Sequence, residues 1–127
     1  MTDRELLELA AKATGDSVVW GGTWNVGGEL IDCTDIPYLG SGQPDENDVY
    51  WDPLTDDGDA LRLAVKLDIE LYQADDDGPC VYAGYWGKPE RRDVTRIFAI
   101  EPLGADPYAA TRRAIVRAAA EIGRNMK

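Results

Sequence analysis

Apolar residues recur at helical spacing near both ends of the chain, and each stretch carries helix-boundary signals. Near the start, residues 2–5 read as a capping box and Gly15 is a natural stop. The stripe between them consists of Leu6, Leu7, Ala10 and Ala13. Near the end, Asp106 suits an N-cap, Pro107 the first helical position and Gly123 the end of the last turn. The predicted core-facing residues of this helix are Tyr108, Ile115, Ala118, Ala119 and Ile122.

A third helix is predicted directly after residues 51–59, which read WDPLTDDGD. Thr55 or Asp56 is the candidate cap, and Asp57 and Asp59 fall in the first turn. Acids are stabilised there by free backbone amides and by the helix dipole. The predicted buried side consists of Leu54, Leu61, Ala64 and Val65. This acid-rich segment therefore indicates a helix start more strongly than a metal site.

Three segments rich in β-branched and aromatic residues predict strands at residues 68–74, 80–86 and 94–100. Residues 75–78, DDDG, predict a turn between the first two strands, and residues 88–93 link the second and third. Short links favour an antiparallel meander.

A weaker pattern follows the first helix. The dipeptide Gly21-Gly22 lies between two β-rich tetrads, which predicts a hairpin with Trp20 opposite Thr23 and with the second strand ending at Gly27-Gly28. Residues 29–53 contain three prolines and read as a variable acidic insertion, with short strands near Leu30 and Val49.

Taken together, these elements predict a single α+β domain over residues 1–127. We expect an antiparallel sheet of three to five strands and three helices, in an arrangement like an α-β-α sandwich.

The net charge of −11 resides in one continuous segment. Residues 13–61 contain eleven acids and no base, whereas residues 1–12 sum to −1 and residues 62–127 sum to +1. Such a field repels nucleic acid and anionic lipid and attracts basic surfaces. Apolar runs are too short to span a bilayer, and the first residues lack a signal-peptide core, so we expect a cytoplasmic protein that binds neither membrane nor nucleic acid directly.

Residue types that carry out catalysis are scarce. The chain has no histidine, which excludes Ser-His and Cys-His nucleophile pairs, and it has no phosphate-binding glycine loop. Cys33 and Cys80 are expected to be free thiols, and Cys33 lies among acids and is a poor nucleophile candidate. The clusters at residues 56–59 and 75–77 lack the spacing of a calcium loop. We therefore expect no enzyme activity, no metal and no cofactor.

Two segments resemble a known family. The segments WDPLTDDGDALRLAVKL at residues 51–67 and ATRRAIVRAAAEIG at residues 110–123 are similar to small proteins encoded by phages and prophages, grouped as the phage ABA sandwich domain. The resemblance is best over residues 51–123 and does not extend to residues 16–50. It implies an α–β–α arrangement with an antiparallel sheet, and a phage context, but no activity. Trp51 and Pro53 of the first motif are expected to be packing residues of the lead-in to the helix, residues 51–55.

The charge distribution and the phage resemblance together favour a non-enzymatic interaction protein. Its acidic segment would bind a basic surface of a host complex that handles nucleic acid, as a restriction or CRISPR inhibitor does. The candidate partner-binding residues are Asp32, Asp35, Asp45, Glu46, Asp48, Asp52, Asp57 and Trp24. The oligomeric state stays open.

Two other functions remain open at this point. In the first, the protein is a sponge for a nucleotide signal, with the aromatic residues of segment 18–28 stacking a base. Its phosphate ligands would be Arg91, Arg92 and the arginines of the last helix. In the second, the protein is a phage assembly component. The arginines of the last helix, in turn, are expected to form a solvated face or to pair with the acidic segment. They are Arg112, Arg113, Arg117 and Arg124.

Overall fold

The computed structural model describes residues 1–40, 49–75, 78–85 and 97–126, with backbone alone at Trp24, Val49, Ile97 and Phe98. Its helices are α1 (Asp3–Thr14), α2 (Asp57–Lys66) and α3 (Pro107–Arg124). Its strands are β1 (Val18–Trp20), β2 (Thr23–Val26), β3 (Glu29–Asp32), β4 (Pro37–Leu39), β5 (Val49–Tyr50), β6 (Glu70–Asp75), β7 (Pro79–Tyr85) and β8 (Ile97–Pro102).

All strand pairs in the described residues are antiparallel. The predicted meander is confirmed as a sheet in the order β6-β7-β8. A second sheet has the order β1-β4-β5, and β2 and β3 form a separate hairpin. The predicted α+β class, with three helices and antiparallel sheets, is confirmed. The predicted turn at residues 75–78 lies partly, and the link at residues 88–93 wholly, outside the described residues.

The hydrophobic core lies where α3 packs between α1 and the β6-β7-β8 sheet. Val81 and Ala83 of β7 belong to this core, and Tyr82 between them is only partly buried. Small residues dominate the helix surfaces that meet in this core. Those that are essentially inaccessible are Ala10, Ala11, Ala114, Ala118 and Ala119. Their size allows the two helices to approach closely.

The predicted helix starts are confirmed for all three helices. Thr2 accepts a hydrogen bond from the Glu5 amide at 3.2 Å, and Asp106 accepts one from the Ala109 amide at 3.1 Å. Of the two candidates for α2, Asp56 is the cap, because it accepts from the Asp59 amide at 2.8 Å. Gly15, with φ of 84°, ends α1 as predicted.

The predicted hairpin at Gly21-Gly22 is wrong. β1 pairs with β4, and β2 pairs with β3 across a turn at Gly27-Gly28, where both φ values are positive. Gly21 is instead a point of close approach, because a Cβ there would lie 2.3 Å from the carbonyl oxygen of Cys33. The predicted short strands near Leu30 and Val49 are confirmed as β3 and β5.

Parts of the predicted helix faces are also wrong. Leu61 and Val65 are 60% and 69% exposed, and the buried side of α2 is formed by Ala60, Leu63 and Ala64. Tyr108 of α3 is 72% exposed. Each of these apolar residues fits the helical period. The neighbouring elements, however, pack on a different face of the helix from the predicted one, so these residues stay exposed.

Gly123 does not end α3, which continues to Arg124. It lies against α1, where a Cβ would be only 2.0 Å from the carbonyl oxygen of Leu9. The glycine is therefore a packing residue.

Among the described residues, no helix has the length and apolar character that a membrane crossing requires.

A candidate acidic binding face

The acid-rich start of α2 is a platform that hydrogen bonds connect to the residues before it. The buried carboxylate of Asp59 accepts a hydrogen bond from the Asp52 amide at 3.0 Å and contacts Arg62 at 2.8 Å. Trp51 and Pro53 are buried on either side of Asp52, as predicted for the lead-in. The Trp51 amide donates to the carbonyl of Pro37 in β4, at 3.1 Å. These contacts hold the lead-in between α2 and the β1-β4-β5 sheet.

Trp20, at the end of β1, is held by two residues of α1. Its indole N–H donates to the carboxylate of Glu8 at 2.9 Å. The guanidinium of Arg4 lies 4.2 Å from the centre of the tryptophan ring, a cation–π geometry. Arg4 also reaches Glu8 at 3.9 Å and Asp35 at 4.0 Å. The arrangement holds one cation between an aromatic face and two carboxylates.

A cleft of about 310 Å³ opens beside this arrangement, between α1, β1, β4 and the lead-in to α2. We call it the acidic cleft. The nine residues that line it are Asp3, Arg4, Leu7, Trp20, Asp35, Pro37, Asp52, Leu54 and Thr55. Leu7 and Pro37 are buried, whereas the side chains of Asp3 and Asp35 are 65% and 97% exposed. The acidic cleft therefore has an apolar interior and carboxylates at its rim.

Three of the predicted partner-binding residues lie at or beside the acidic cleft. Asp35 and Asp52 line it. Asp57 is connected to it through Arg112, whose guanidinium contacts Asp57 at 2.6 Å and donates to the carbonyl of Leu54 at 2.9 Å. Asp57 is therefore engaged within the chain.

The remaining predicted residues are more scattered. Asp32 lies at the end of β3, where its carboxylate accepts from the amide of Thr34 at 3.0 Å and from its hydroxyl at 2.8 Å. The Thr34 hydroxyl hydrogen bond, followed by the amide hydrogen bond, lowers the pKa of Asp32 below its ordinary value. The backbone of Trp24 lies in β2 opposite Ile31. Asp45, Glu46 and Asp48 lie outside the described residues.

Bases from other parts of the chain reach several acids of segment 13–61. The ion pairs are Lys66–Asp16, Arg4–Asp35, Arg62–Asp56, Arg62–Asp59 and Arg112–Asp57. Among the described acids of this segment, Glu29, Asp32 and Asp52 have no ion pair. Pairing therefore reduces the negative charge around α2, whereas Glu29 and Asp32 at the β2-β3 hairpin and Asp52 at the acidic cleft stay without an ion pair among the described residues.

The arginines of α3 pair mostly with acids outside segment 13–61. Arg113 reaches Asp3 at 3.0 Å, Arg117 reaches Glu101 at 2.6 Å and Arg124 reaches Glu121 at 3.1 Å. Of these four arginines, only Arg112 reaches an acid among the described residues of the segment. The expected pairing with the acidic segment is therefore found for one of the four arginines, Arg112.

The contribution of α1 was not foreseen from the sequence. The sequence predicted only an apolar, core-packing stripe for α1, but the acidic cleft is also lined by Asp3, Arg4 and Leu7 of this helix. The i, i+4 spacing of Arg4 and Glu8 was a usable signal, because such pairs share a helix face. Their meeting with Trp20 depends on how the chain turns back after Gly15.

The described residues show hydrogen bonds, ion pairs and aromatic contacts around the acidic cleft. Over residues 1–40, 49–75, 78–85 and 97–126, no group of three acids or cysteines is placed to hold one metal ion. Cys33 and Cys80 are free, and the buried Cys80 thiol donates to the carbonyl of Ala74 at 3.6 Å.

Comparison of this chain with protein-family models, curated proteins and solved structures finds no match. The resemblance to the phage ABA sandwich domain therefore remains a prediction.

Proposed function

We propose that this protein is a non-enzymatic interaction protein whose acidic face binds a basic surface of a complex that handles nucleic acid. In the phage context that the sequence resemblance implies, the protein acts in the host cytoplasm and inhibits a host defence complex, of the restriction or CRISPR type. A site that evolved to hold phosphates presents clustered bases. A rigid array of carboxylates competes for such a site without being a nucleic acid.

One observation carries this proposal: carboxylates from three separate elements converge at the acidic cleft. Asp3 comes from α1, Asp35 from the segment between β3 and β4, and Asp52 from the lead-in to α2. Acids that only confer solubility need no common location or apolar centre. The carboxylates here surround an apolar interior, which offers contact area as well as charge.

The surrounding structure supports a preorganised face. Asp59 and the buried Trp51 hold the lead-in, and Arg112 holds the carbonyl of Leu54. A rigid face loses little conformational entropy when it binds, so more of the interaction energy appears as affinity.

The test is capture from a lysate of bacterial cells with this protein as bait, at low and at high salt. We expect a nucleic-acid-binding complex that is lost at high salt, because exposed charges are screened beyond about 8 Å at physiological ionic strength. Asp35→Lys is expected to abolish capture. Asp75→Lys is the matched control, because it makes the same charge change at an exposed acid on β6.

Further variants address the part of the acidic segment outside the described residues. Replacing Asp45, Glu46 and Asp48 by lysine is expected to weaken capture, since these acids extend the same charge segment. Capture that survives high salt and all of these reversals, but fails when Arg112, Arg113 and Arg117 are replaced, contradicts the proposal.

A nucleotide sponge is the second candidate, and one observation favours it. A cleft of about 460 Å³ is lined by Arg113, Arg117 and Arg124, together with Glu101 and Glu121. We rank it second because each arginine already contacts a carboxylate, which an incoming phosphate must displace. Thermal unfolding with added nucleotides separates the two candidates, because a ligand that binds the folded state raises the melting temperature.

A further inference from the structure

We infer that the acidic cleft receives an arginine side chain of the partner. This inference rests on the proposed function, since it names the group that the acidic face recognises. An arginine side chain has an apolar stem and a planar cation at its end. The acidic cleft offers the matching surfaces: apolar Leu7 and Leu54 inside, and the carboxylates of Asp35 and Asp52.

The chain's own Arg4 shows how a guanidinium is accommodated at this place. It lies over the ring of Trp20 at 4.2 Å and between the carboxylates of Glu8 and Asp35. Aromatic stacking together with carboxylate contact is the combination that favours a guanidinium over an ammonium. A second guanidinium in the acidic cleft would meet the carboxylates of Asp35 and Asp52, and it would reach the face of Trp20 that Arg4 covers only by displacing Arg4.

Arg4 does not neutralise the rim. Its guanidinium approaches Asp35 only to 4.0 Å, and that carboxylate is 97% exposed. Asp52 has no ion pair among the described residues, and its carboxylate accepts only the Leu54 amide, at 3.1 Å, among the contacts described. Asp3 is paired with Arg113 at 3.0 Å. The rim therefore retains negative charge near Asp35 and Asp52, which excludes phosphate and attracts a cation.

The experiment is an NMR titration of the isolated protein with Nα-acetylarginine amide. We expect progressive shifts of the Trp20 indole N–H and of the backbone amides of Asp35, Leu54 and Thr55. Nα-acetylcitrulline amide is the matched control, because it has the same shape without the charge. The lysine analogue should bind more weakly than the arginine compound. Absence of shifts with arginine, equal shifts with citrulline, or shifts spread equally to Asp32 and Asp75 would overturn the inference.

Variants sharpen the test. Asp52→Asn keeps an acceptor for the Leu54 amide but removes the charge, so we expect the arginine compound to bind severalfold more weakly. Arg4→Ala removes the competing cation and should strengthen binding severalfold. Lys12→Ala makes the same charge change elsewhere on α1 and should leave binding unchanged. Equal effects of Arg4→Ala and Lys12→Ala would show general charge attraction and reject a specific arginine site.

The titration and the capture experiment fail separately. Salt-sensitive capture that Asp35→Lys abolishes, combined with a flat titration, rejects the arginine cleft and keeps the acidic-face function. A localised titration without salt-sensitive capture rejects the proposed function and leaves a cation site whose biological ligand is different.

Discussion

Helix α1 contributes both to the α1–α3 interface and to the acidic cleft, but different interactions stabilise the two regions. At the interface, Gly123 meets the backbone of Leu9, with no room for one further carbon atom. At the acidic cleft, α1 contributes the exposed side chains of Asp3 and Arg4, held by ion pairs of 3.0 to 4.0 Å. A region fixed by backbone contact tolerates no added atom, whereas one fixed by exposed polar side chains tolerates substitution and is free to bind.

The largest expected change in stability concerns the α1–α3 interface. In Gly123→Ala, the new Cβ would lie 2.0 Å from the Leu9 carbonyl oxygen, so the helices must separate. We expect a loss of about 2–3 kcal/mol in the free energy of unfolding, in the range for overpacking. Urea denaturation measures it. Gly22→Ala is the control, because a Cβ there would meet no atom within 4 Å and the φ of Gly22 is not positive, so we expect no comparable loss.

The platform beside the acidic cleft should respond next. Asp59→Ala leaves the Asp52 amide without its acceptor and removes the contact with Arg62. We expect a loss of about 1–3 kcal/mol, the cost of an unsatisfied polar group. Asp59→Asn keeps an acceptor and should cost less than half as much. Equal losses for the two variants would mean that the ion pair, rather than the hydrogen bond to the lead-in, stabilises the platform.

The cap of α2 predicts a smaller effect. Asp56→Ala removes the side chain that accepts from the Asp59 amide and should cost about 1 kcal/mol. Thr55→Ala, one residue earlier, should change stability by less than about 0.5 kcal/mol, as for a surface site away from such features. A larger loss of stability for Thr55→Ala than for Asp56→Ala would show that Thr55, and not Asp56, is the cap.

At the acidic cleft, we expect a substitution to change ligand binding without changing the free energy of unfolding. Asp35→Asn removes an exposed charge whose nearest base lies 4.0 Å away, so the free energy of unfolding should change by less than about 0.5 kcal/mol. Binding of Nα-acetylarginine amide should nevertheless weaken. A variant that unfolds the protein would show that the acidic cleft is structural.

The smallest effect concerns Asp32. Its pKa is lowered in the folded protein, chiefly by the Thr34 hydroxyl. The stability that this group contributes is therefore present above the pKa of the unfolded chain and is lost as pH falls through the folded value. In Thr34→Val the pKa of Asp32 should rise part of the way back, because the amide hydrogen bond remains. An NMR pH titration measures the pKa, and an unchanged value contradicts the assigned cause.

Local signals determined much of this protein from the sequence alone. The three caps at Thr2, Asp56 and Asp106 depend on side chains within three residues of the amides they bind. The β6-β7-β8 meander follows from three segments rich in β-branched and aromatic residues and from the short links between them. The concentration of acids in residues 13–61 is a property of composition, which folding does not alter. Each of these features is set by neighbours in the chain, so the sequence suffices to predict it.

Tertiary contacts decided the rest. The tetrads around Gly21-Gly22 satisfy hairpin statistics, but the backbone of Cys33 approaches Gly21 and β1 pairs with β4. Leu61 and Val65 fit a helical stripe, but the elements that pack on α2 cover the side with Leu63. The acidic cleft joins residues from four elements that are distant in sequence. Periodicity specifies which residues share a face, whereas only the packing of one element on another determines which face is buried and which side chains meet.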